Sequence, residues 1–192
     1  VYYYAIRHDI PFICIGEADA ENMPFDDKNA VEEEVDFNPA TPEEDRITSI
    51  VYKPGFNMKD KSEAGVGLDL SLIKVKANEV YDEEGLARAE AALGTEIVGK
   101  THYNLLDITL MYGEKDYSKG YDGLVEVQIP IPPGHQDEEF YCYRILDDGT
   151  KEIIPGKRFE EHYSIYLEHF SVYALVAEPE HTCEYSDNWS ND

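Results

Sequence analysis

Apolar and polar residues alternate along most of the chain from residue 46 to residue 177, with the period of two that is typical of β-strands. The segment GLDLSLIKVK places Leu68, Leu70 and Leu72 on one face and polar residues on the other. The same alternation recurs in NLLDITLMYG and LVEVQIPI. ITSIVYK is rich in β-forming residues, EFYCYRIL reads as a further strand, and SVYALVA has apolar residues on both faces. Turn signals such as Pro54-Gly55 separate these segments. The pattern predicts about seven or eight short antiparallel strands, each with one face toward a core.

One segment, YDEEGLARAEAALG, has helical spacing instead. Leu86, Ala89 and Leu93 lie three or four residues apart, acidic residues occupy the first turn, and Gly94 stands at the end. These are the start and stop signals of a short helix. A parallel α/β sheet would need a helix after nearly every strand. We therefore expect a mainly β fold, an antiparallel sandwich or barrel over residues 46–177, with one short helical insertion.

The flanking segments differ in composition from residues 46–177. Residues 1–16 are dense in aromatic and apolar side chains, and residues 178–192 form a polar tail. Residues 17–45 are acidic and interrupted by prolines. Because this acidic segment has few apolar residues to offset its ordering entropy, we expect a linker or a loosely packed extended segment there.

The charge of the chain excludes two classes of partner. It carries 41 acidic and 16 basic residues, a formal net charge of −25 at pH 7. Such a surface repels nucleic-acid phosphates and anionic membranes. No apolar run approaches the ~20 residues of a membrane span. We expect neither nucleic-acid binding nor membrane insertion, and a surface that is solvated or that attracts cations.

The sequence predicts no metal site and no cofactor. The three cysteines are far apart and include no CxxC motif: Cys14, Cys142 and Cys183. The tail offers only His181 and Cys183, whereas a structural zinc site needs four ligands. The acidic loops 113–123 and 146–150 lack the spacing of a calcium-binding loop.

Several of the predicted strands carry a family resemblance. The segments DITL, GLVEVQIPIPPG, YCYRILDDGTKEIIP and IYLEHFSVYALV together resemble an immunoglobulin-like module of Gram-positive, Firmicutes-type bacterial surface proteins. The hairpin of that pattern is represented here by residues 143–149, and the resemblance covers about residues 66–177. It implies that the sandwich over 46–177 is immunoglobulin-like.

Two shorter resemblances concern the flanking segments. VYYYAIRHDIPFICIGE is similar to the end of a leucine-rich repeat array of the bacterial surface-protein type. The matching residues are Tyr4, Ala5, Ile6, Pro11 and Phe12. This implies that residues 1–16 are a terminal repeat cap fragment. HTCEYSDNWSND resembles the opening of a His/Cys/Trp-rich module, so residues 178–192 are interpreted as the start of a downstream module that is truncated here, or as a disordered tail.

The pair His169 and Ser171, in HFSVYALV, raises the question of catalysis. Residues two apart on a strand face the same side, so a Ser–His couple is conceivable. However, no G-x-S-x-G elbow is present and no acid is placed by spacing to orient the histidine. We expect HFSVYALV to be the last strand of the sandwich, with Phe170 buried and no catalytic residue.

Tyrosines supply the best candidate for a binding site. The chain has 15 tyrosines, many of them in the predicted β domain. Exposed tyrosine rings stack on sugars and form protein contacts, although tyrosine also fills sheet interiors. The loop pair Tyr117 and Tyr121 is the predicted ligand-binding site.

The resemblances imply an extracellular, cell-wall-associated protein in which the β domain is a non-catalytic spacer and adhesion or interaction module. Its implied partners are neighbouring modules of the same polypeptide and a host or cell-wall protein or glycan. An alternative is a carbohydrate-binding module that uses exposed tyrosines. A hydrolase is a remote third alternative.

Overall fold

The computed structural model describes residues 25–62, 66–95 and 97–178. The predicted repeat cap over residues 1–16 and the tail after residue 178 lie outside the described residues. Within them the chain is mainly β with one α-helix, as the alternation predicts. The helix is α1, Glu83–Leu93. The strands are β1 Val31–Asp36, β2 Ser49–Pro54, β3 Lys59–Asp60, β4 Ile73–Glu79, β5 Tyr103–Tyr112, β6 Lys115–Asp116, β7 Tyr121–Asp122, β8 Val125–Pro130, β9 Glu139–Ile145, β10 Lys151–Ile154, β11 Gly156–Arg158, β12 His162–Leu167 and β13 Val172–Glu178.

Ten of these strands form one continuous path of hydrogen-bonded neighbours, in the order β10-β9-β13-β5-β4-β1-β2-β8-β12-β11. β6 pairs with β5, and β3 and β7 form a small separate sheet. All pairs are antiparallel except β1 with β4.

β1 joins the two halves of the path and corrects one prediction. Its first residues pair with β2, from Val31 opposite Tyr52 onward, and its last two pair with β4. Val35 is only 4% exposed and belongs to the main core. Residues 31–36 are thus a strand, and the prediction of a linker over 17–45 is wrong for them. Backbone pairing on both sides and the burial of Val35 offset the ordering entropy, while most of the acidic side chains stay in solvent.

The two halves of the path enclose one hydrophobic core. Buried side chains of β2, β8 and β12 pack in the same cluster as those of β4, β5, β9 and β13. From the first half come Ile50, Tyr52, Val125, Val127, Ile129, Ile165 and Leu167, and from the second Val75, Ile108, Leu110, Phe140, Cys142, Tyr173 and Leu175. The sheet therefore folds over at β1 into two facing layers.

α1 forms a third layer on the outer face of β5, β9 and β13. Asp82 caps its first turn by accepting from the Gly85 backbone at 2.8 Å, and Gly94 follows its end with a φ of 80°. Ala89 and Leu93 pack on Val172, Ala174 and Val176. β13 is consequently buried on both faces, because Tyr173, Leu175 and Ala177 face the main core.

Two predicted strands begin later than the alternation indicates. In GLDLSLIKVK, Asp69 accepts from the Ser71 backbone at 3.0 Å, residues 70–72 form a 3-10 turn, and β4 begins at Ile73. A short acidic side chain competes here with sheet pairing, as it often does in turns. In HFSVYALV the strand begins at Val172, after a bend.

β1 and β13 run in the same direction, because β1 is parallel to β4 and two antiparallel steps separate β4 from β13. Val35 pairs with Ala77, which pairs with Ile108 in the middle of β5. Val176 pairs with Tyr103, the first residue of β5. The start of β1 and the end of β13 are therefore about eleven strand residues apart, or ~36 Å at ~3.3 Å per residue. The described chain enters at one end of the sandwich and leaves at the other.

Candidate functional site

The predicted tyrosine pair does not form a binding platform. Tyr121 is 1% exposed, and its ring packs edge-on against Phe170 at a centroid distance of 5.6 Å. Burial raises the pKa of its hydroxyl. Tyr117 is half-buried, its hydroxyl bonds to Asp60, and its ring covers Gly120. This corrects the predicted Tyr117 and Tyr121 site: Tyr121 is part of the core and offers no ring for a ligand to stack on.

His169 and Ser171 do not form a catalytic couple in this structure. The Ser171 hydroxyl donates to the Ile145 carbonyl at 3.2 Å, and the Tyr173 hydroxyl donates to the His169 carbonyl at 2.5 Å. Phe170 is half-buried against the core, less deeply than predicted. The bend before β13 thus has structural hydrogen bonds, while the His169 side chain is exposed.

His169 does, however, line a cleft of about 370 Å³ between the β9–β10 hairpin and the turn from β12 to β13. The cleft mixes aromatic, apolar and charged side chains: Leu124, Arg144, Glu152, Ile153, Ile154, Pro155, Tyr166, Leu167, Glu168, His169 and Tyr173. Arg144 is the main candidate for a ligand contact. One of its terminal nitrogens lies 3.5 Å from a Glu152 carboxylate oxygen, whereas its buried Nε has no hydrogen-bond partner among the described residues.

A second candidate site lies at the opposite end of the sandwich, where β13 ends. Three side chains from segments distant in sequence meet there: Asp45, His102 and His135. Asp45 ends the 3-10 turn at 43–45, His102 directly precedes β5, and His135 ends the 3-10 turn at 133–135. We call these three residues the histidine–aspartate cluster.

The loop that carries Asp45 is fixed by its own hydrogen bonds. Arg46 donates from Nε to the Thr41 carbonyl at 2.7 Å and from Nη2 to the Pro39 carbonyl at 3.0 Å. Glu79, at the end of β4, accepts from the Asn38 backbone at 2.7 Å and from the Thr41 hydroxyl at 2.6 Å. The segment after β1 is therefore anchored to the sandwich, which positions Asp45.

A glycine allows the other loop to approach. A Cβ built on Gly134 would lie 3.1 Å from the Glu44 carbonyl oxygen and 3.0 Å from the Glu44 Cβ. A side chain at this position would push the two 3-10 turns apart by a few tenths of an ångström. The close passage of the two turns brings His135 beside Asp45. The position of His102 is fixed through its backbone, because its carbonyl accepts a hydrogen bond from the Ala177 amide at 2.9 Å.

The three side chains of the cluster are in close contact. His135 Nε2 lies 2.8 Å and His102 Nδ1 3.8 Å from the same oxygen, Asp45 Oδ1. The two imidazole rings stack with a centroid distance of 3.9 Å and an interplanar angle of 13°. One nitrogen of each ring thus faces a single carboxylate.

In each histidine, the ring nitrogen that faces away from Asp45 has a hydrogen-bond acceptor of its own. Asn104 Nδ2 donates to the Asp45 carbonyl at 2.7 Å, which fixes the orientation of the amide and leaves Oδ1 2.8 Å from His102 Nε2. Because an amide oxygen only accepts, His102 carries its proton on Nε2. His135 Nδ1 donates to Glu138 Oε2 at 2.8 Å. In both rings the nitrogen that faces Asp45 is therefore left for that carboxylate or for a ligand.

The pKa values of the two histidines are shifted in opposite directions. Burial lowers the pKa of His102, although the hydrogen bond to Asn104 opposes this, and the neighbouring His135 lowers it further. Burial also acts to lower the pKa of His135, but the hydrogen bonds to Asp45 and Glu138 outweigh it and raise the pKa. The cluster can therefore hold a proton between His135 and Asp45, or another cation in its place.

Nothing in the sequence indicates this cluster. Its members come from three segments that are distant in the chain, and no spacing pattern links them. Comparisons with protein-family models, with curated proteins and with solved structures find no match. Among the described residues, no helix has the length and apolar character needed to cross a membrane.

Proposed function

We propose that this chain is a non-catalytic spacer and interaction module of a secreted bacterial surface protein, related in sequence pattern to immunoglobulin-like modules. The segments that carry the resemblance support this, because DITL lies in β5, VEVQIP is β8, and YALV lies in β13. The Ser171 hydroxyl donates to a backbone carbonyl instead of to His169, which favours a non-catalytic role. We propose an extracellular, cell-wall-associated location and neighbouring modules as partners.

The observation that carries the spacer role is the opposite placement of entry and exit. A module whose chain enters and leaves at opposite ends extends a multi-module protein by its full length, ~36 Å from the strand rise. Tension between these ends acts along β1 and β13, parallel to the strands. β13 is hydrogen-bonded to β5 and β9 on its two sides. Its hydrogen bonds are then loaded together in shear, and they resist more force than bonds that are broken one at a time.

Single-molecule pulling tests this role. The chain is extended from its two termini between handle domains, with Cys14 and Cys183 replaced by serine. We expect one cooperative rupture that releases about 500 Å of contour length, because residues 31–178 span ~530 Å when extended at ~3.6 Å each and ~36 Å when folded. The matched control moves the second handle to Asp148→Cys, in the β9–β10 turn. That turn lies at the same end of the sandwich as the start of β1, so the strands are peeled apart and the rupture force falls. Equal forces in the two geometries would contradict the spacer role.

The cleft provides the candidate interaction site. The specific observation is the Arg144 guanidinium, which lines the cleft and whose ion pair with Glu152 is loose, at 3.5 Å from Nη1 to Oε2. Tyr166 and His169 add an aromatic and a second basic side chain to the lining. A ligand that bears a carboxylate, such as an acidic glycan of a cell surface, would form a charge-assisted pair with Arg144 in place of Glu152. Glu168 in the same lining opposes an anionic ligand, so Arg144 must supply the affinity.

A glycan array separates this interaction site from a spacer without a ligand. We expect acidic sugars to be retained over neutral ones, and the Arg144→Gln variant to lose at least tenfold in affinity. Arg88→Gln is the matched control, since Arg88 is exposed on α1 and lies outside the cleft. Equal retention by both variants would remove the cleft from the proposal.

A further inference from the structure

We propose that the histidine–aspartate cluster binds a divalent transition-metal ion, with zinc as the best-fitting case. The ligand atoms are Asp45 Oδ1, His102 Nδ1 and His135 Nε2, which all lie within 4.8 Å of one another. Two imidazole nitrogens and one carboxylate oxygen are donors that zinc, cobalt, nickel and copper prefer, whereas calcium and magnesium prefer oxygen alone. The site is built from three distant segments, so sequence spacing gave no sign of it.

The surroundings of the two histidines are those of metal ligands. A histidine that binds a metal almost always donates its other ring N–H to a carboxylate, an amide or a carbonyl. His102 Nε2 has the Asn104 amide oxygen at 2.8 Å, and His135 Nδ1 has the Glu138 carboxylate at 2.8 Å. Both rings therefore carry a proton on the nitrogen that faces away from Asp45 and direct the other nitrogen toward that carboxylate.

The distances require only small adjustments. Two ligands that each lie ~2.0–2.1 Å from a tetrahedral zinc ion are separated by ~3.3 Å. His135 Nε2 is now 2.8 Å from Asp45 Oδ1, and His102 Nδ1 is 3.8 Å from the same atom. The first distance must open and the second must close, each by about 0.5 Å. The stacked rings must also rotate, because parallel rings direct their lone pairs side by side and not toward one point.

The cluster is accessible to an ion in solution. The side chains of Asp45 and His135 are 26% and 14% exposed. With three ligands from the protein, the fourth position of a tetrahedral ion falls to water. The ion would replace the proton that His135 shares with Asp45. It would also link the segment after β1 to the start of β5, which is hydrogen-bonded to the end of β13.

Metal titration tests the site directly. The full chain, freed of metal with a chelator, is titrated with Co²⁺ and then with Zn²⁺. We expect one Co²⁺ per chain, with visible d–d bands of a low-coordinate centre and no sulfur-to-cobalt charge-transfer band, and displacement by Zn²⁺. At a free Zn²⁺ concentration of 100 times the Kd, the melting temperature should rise by roughly 5–10 °C for a chain of this size.

Variants assign the signal to the cluster. His135→Gln and Asp45→Asn keep hydrogen-bonding groups in place but remove a metal ligand, and each should lower the affinity at least tenfold. The matched control is His169→Ala, which removes an exposed histidine outside the cluster. A second control, His181→Ala with Cys183→Ser, tests the tail as the source of binding. The proposal is overturned if the chain shows no cobalt bands, or if both cluster variants fold and bind the metal with unchanged affinity. It is also overturned if either control variant loses binding.

Discussion

Val35→Ala tests whether β1 is an integral part of the sandwich. Val35 is 4% exposed, pairs with Ala77 of β4, and packs in the core that both halves of the sheet share. Val31, on the same strand, is 41% exposed and pairs with Tyr52 of β2. The same substitution at Val31 is therefore a matched control, with equal change in composition and strand propensity.

The expected cost follows from burial. Valine to alanine removes two carbon groups, worth ~0.8 kcal/mol each when fully buried, and the cavity that remains adds to this loss. We expect Val35→Ala to lower the free energy of unfolding by about 2 kcal/mol. Val31→Ala removes a side chain that is largely in solvent, and its effect should stay within ~0.5 kcal/mol.

Urea unfolding followed by tyrosine fluorescence and circular dichroism measures both variants. A fall in midpoint at an unchanged m-value reports lost stability, and it should correspond to ~4–8 °C in melting temperature. If Val35→Ala and Val31→Ala are both within ~0.5 kcal/mol of the parent chain, β1 contributes no buried contact and the acidic segment is a linker after all.

Three further substitutions or reactions probe single features of the fold. Gly149→Ala should cost about 1 kcal/mol by thermal melting, because Gly149 has a φ of 81° and the new Cβ meets no atom within 4 Å, so only backbone strain acts; an equally stable variant would contradict that conformation. Tyr173→Phe should cost about 1 kcal/mol in urea by removing the hydrogen bond to the His169 carbonyl, and no change would show that bond to be unimportant. Burial raises the pKa of the Cys142 thiol and hides it from solvent, so with Cys14 and Cys183 replaced by serine a disulfide reagent should react only at the rate of unfolding; fast labelling of the native chain would place Cys142 at the surface.

The alternation of the sequence predicted the strands that pack directly on the core. Val125, Val127 and Ile129 of β8 are all buried, as their spacing requires of one face of a strand. β13 shows the same principle on two faces, since Val172 and Tyr173 are buried on opposite sides. These features depend only on local side-chain direction, which the sequence carries.

Features that depend on partners from elsewhere in the chain were missed. β1 has few apolar residues, and its stability comes from pairing with β2 and β4. Tyr121 was taken for a loop residue because nothing local shows that it joins the core and packs against Phe170. The histidine–aspartate cluster likewise depends on two distant turns that touch at Gly134.

The position of β1 also determines how the chain would behave if its start were lost. Because β1 is the shared neighbour of β2 and β4, its removal would expose two unpaired strand edges at once, facing one groove. Such a groove is a template for β-augmentation by any extended segment, including the β1 of another copy. Cleavage in the loop 37–46 would then yield a module that can exchange strands and assemble. A synthetic peptide of residues 25–38, added to a chain that begins at residue 46, should compete with that assembly.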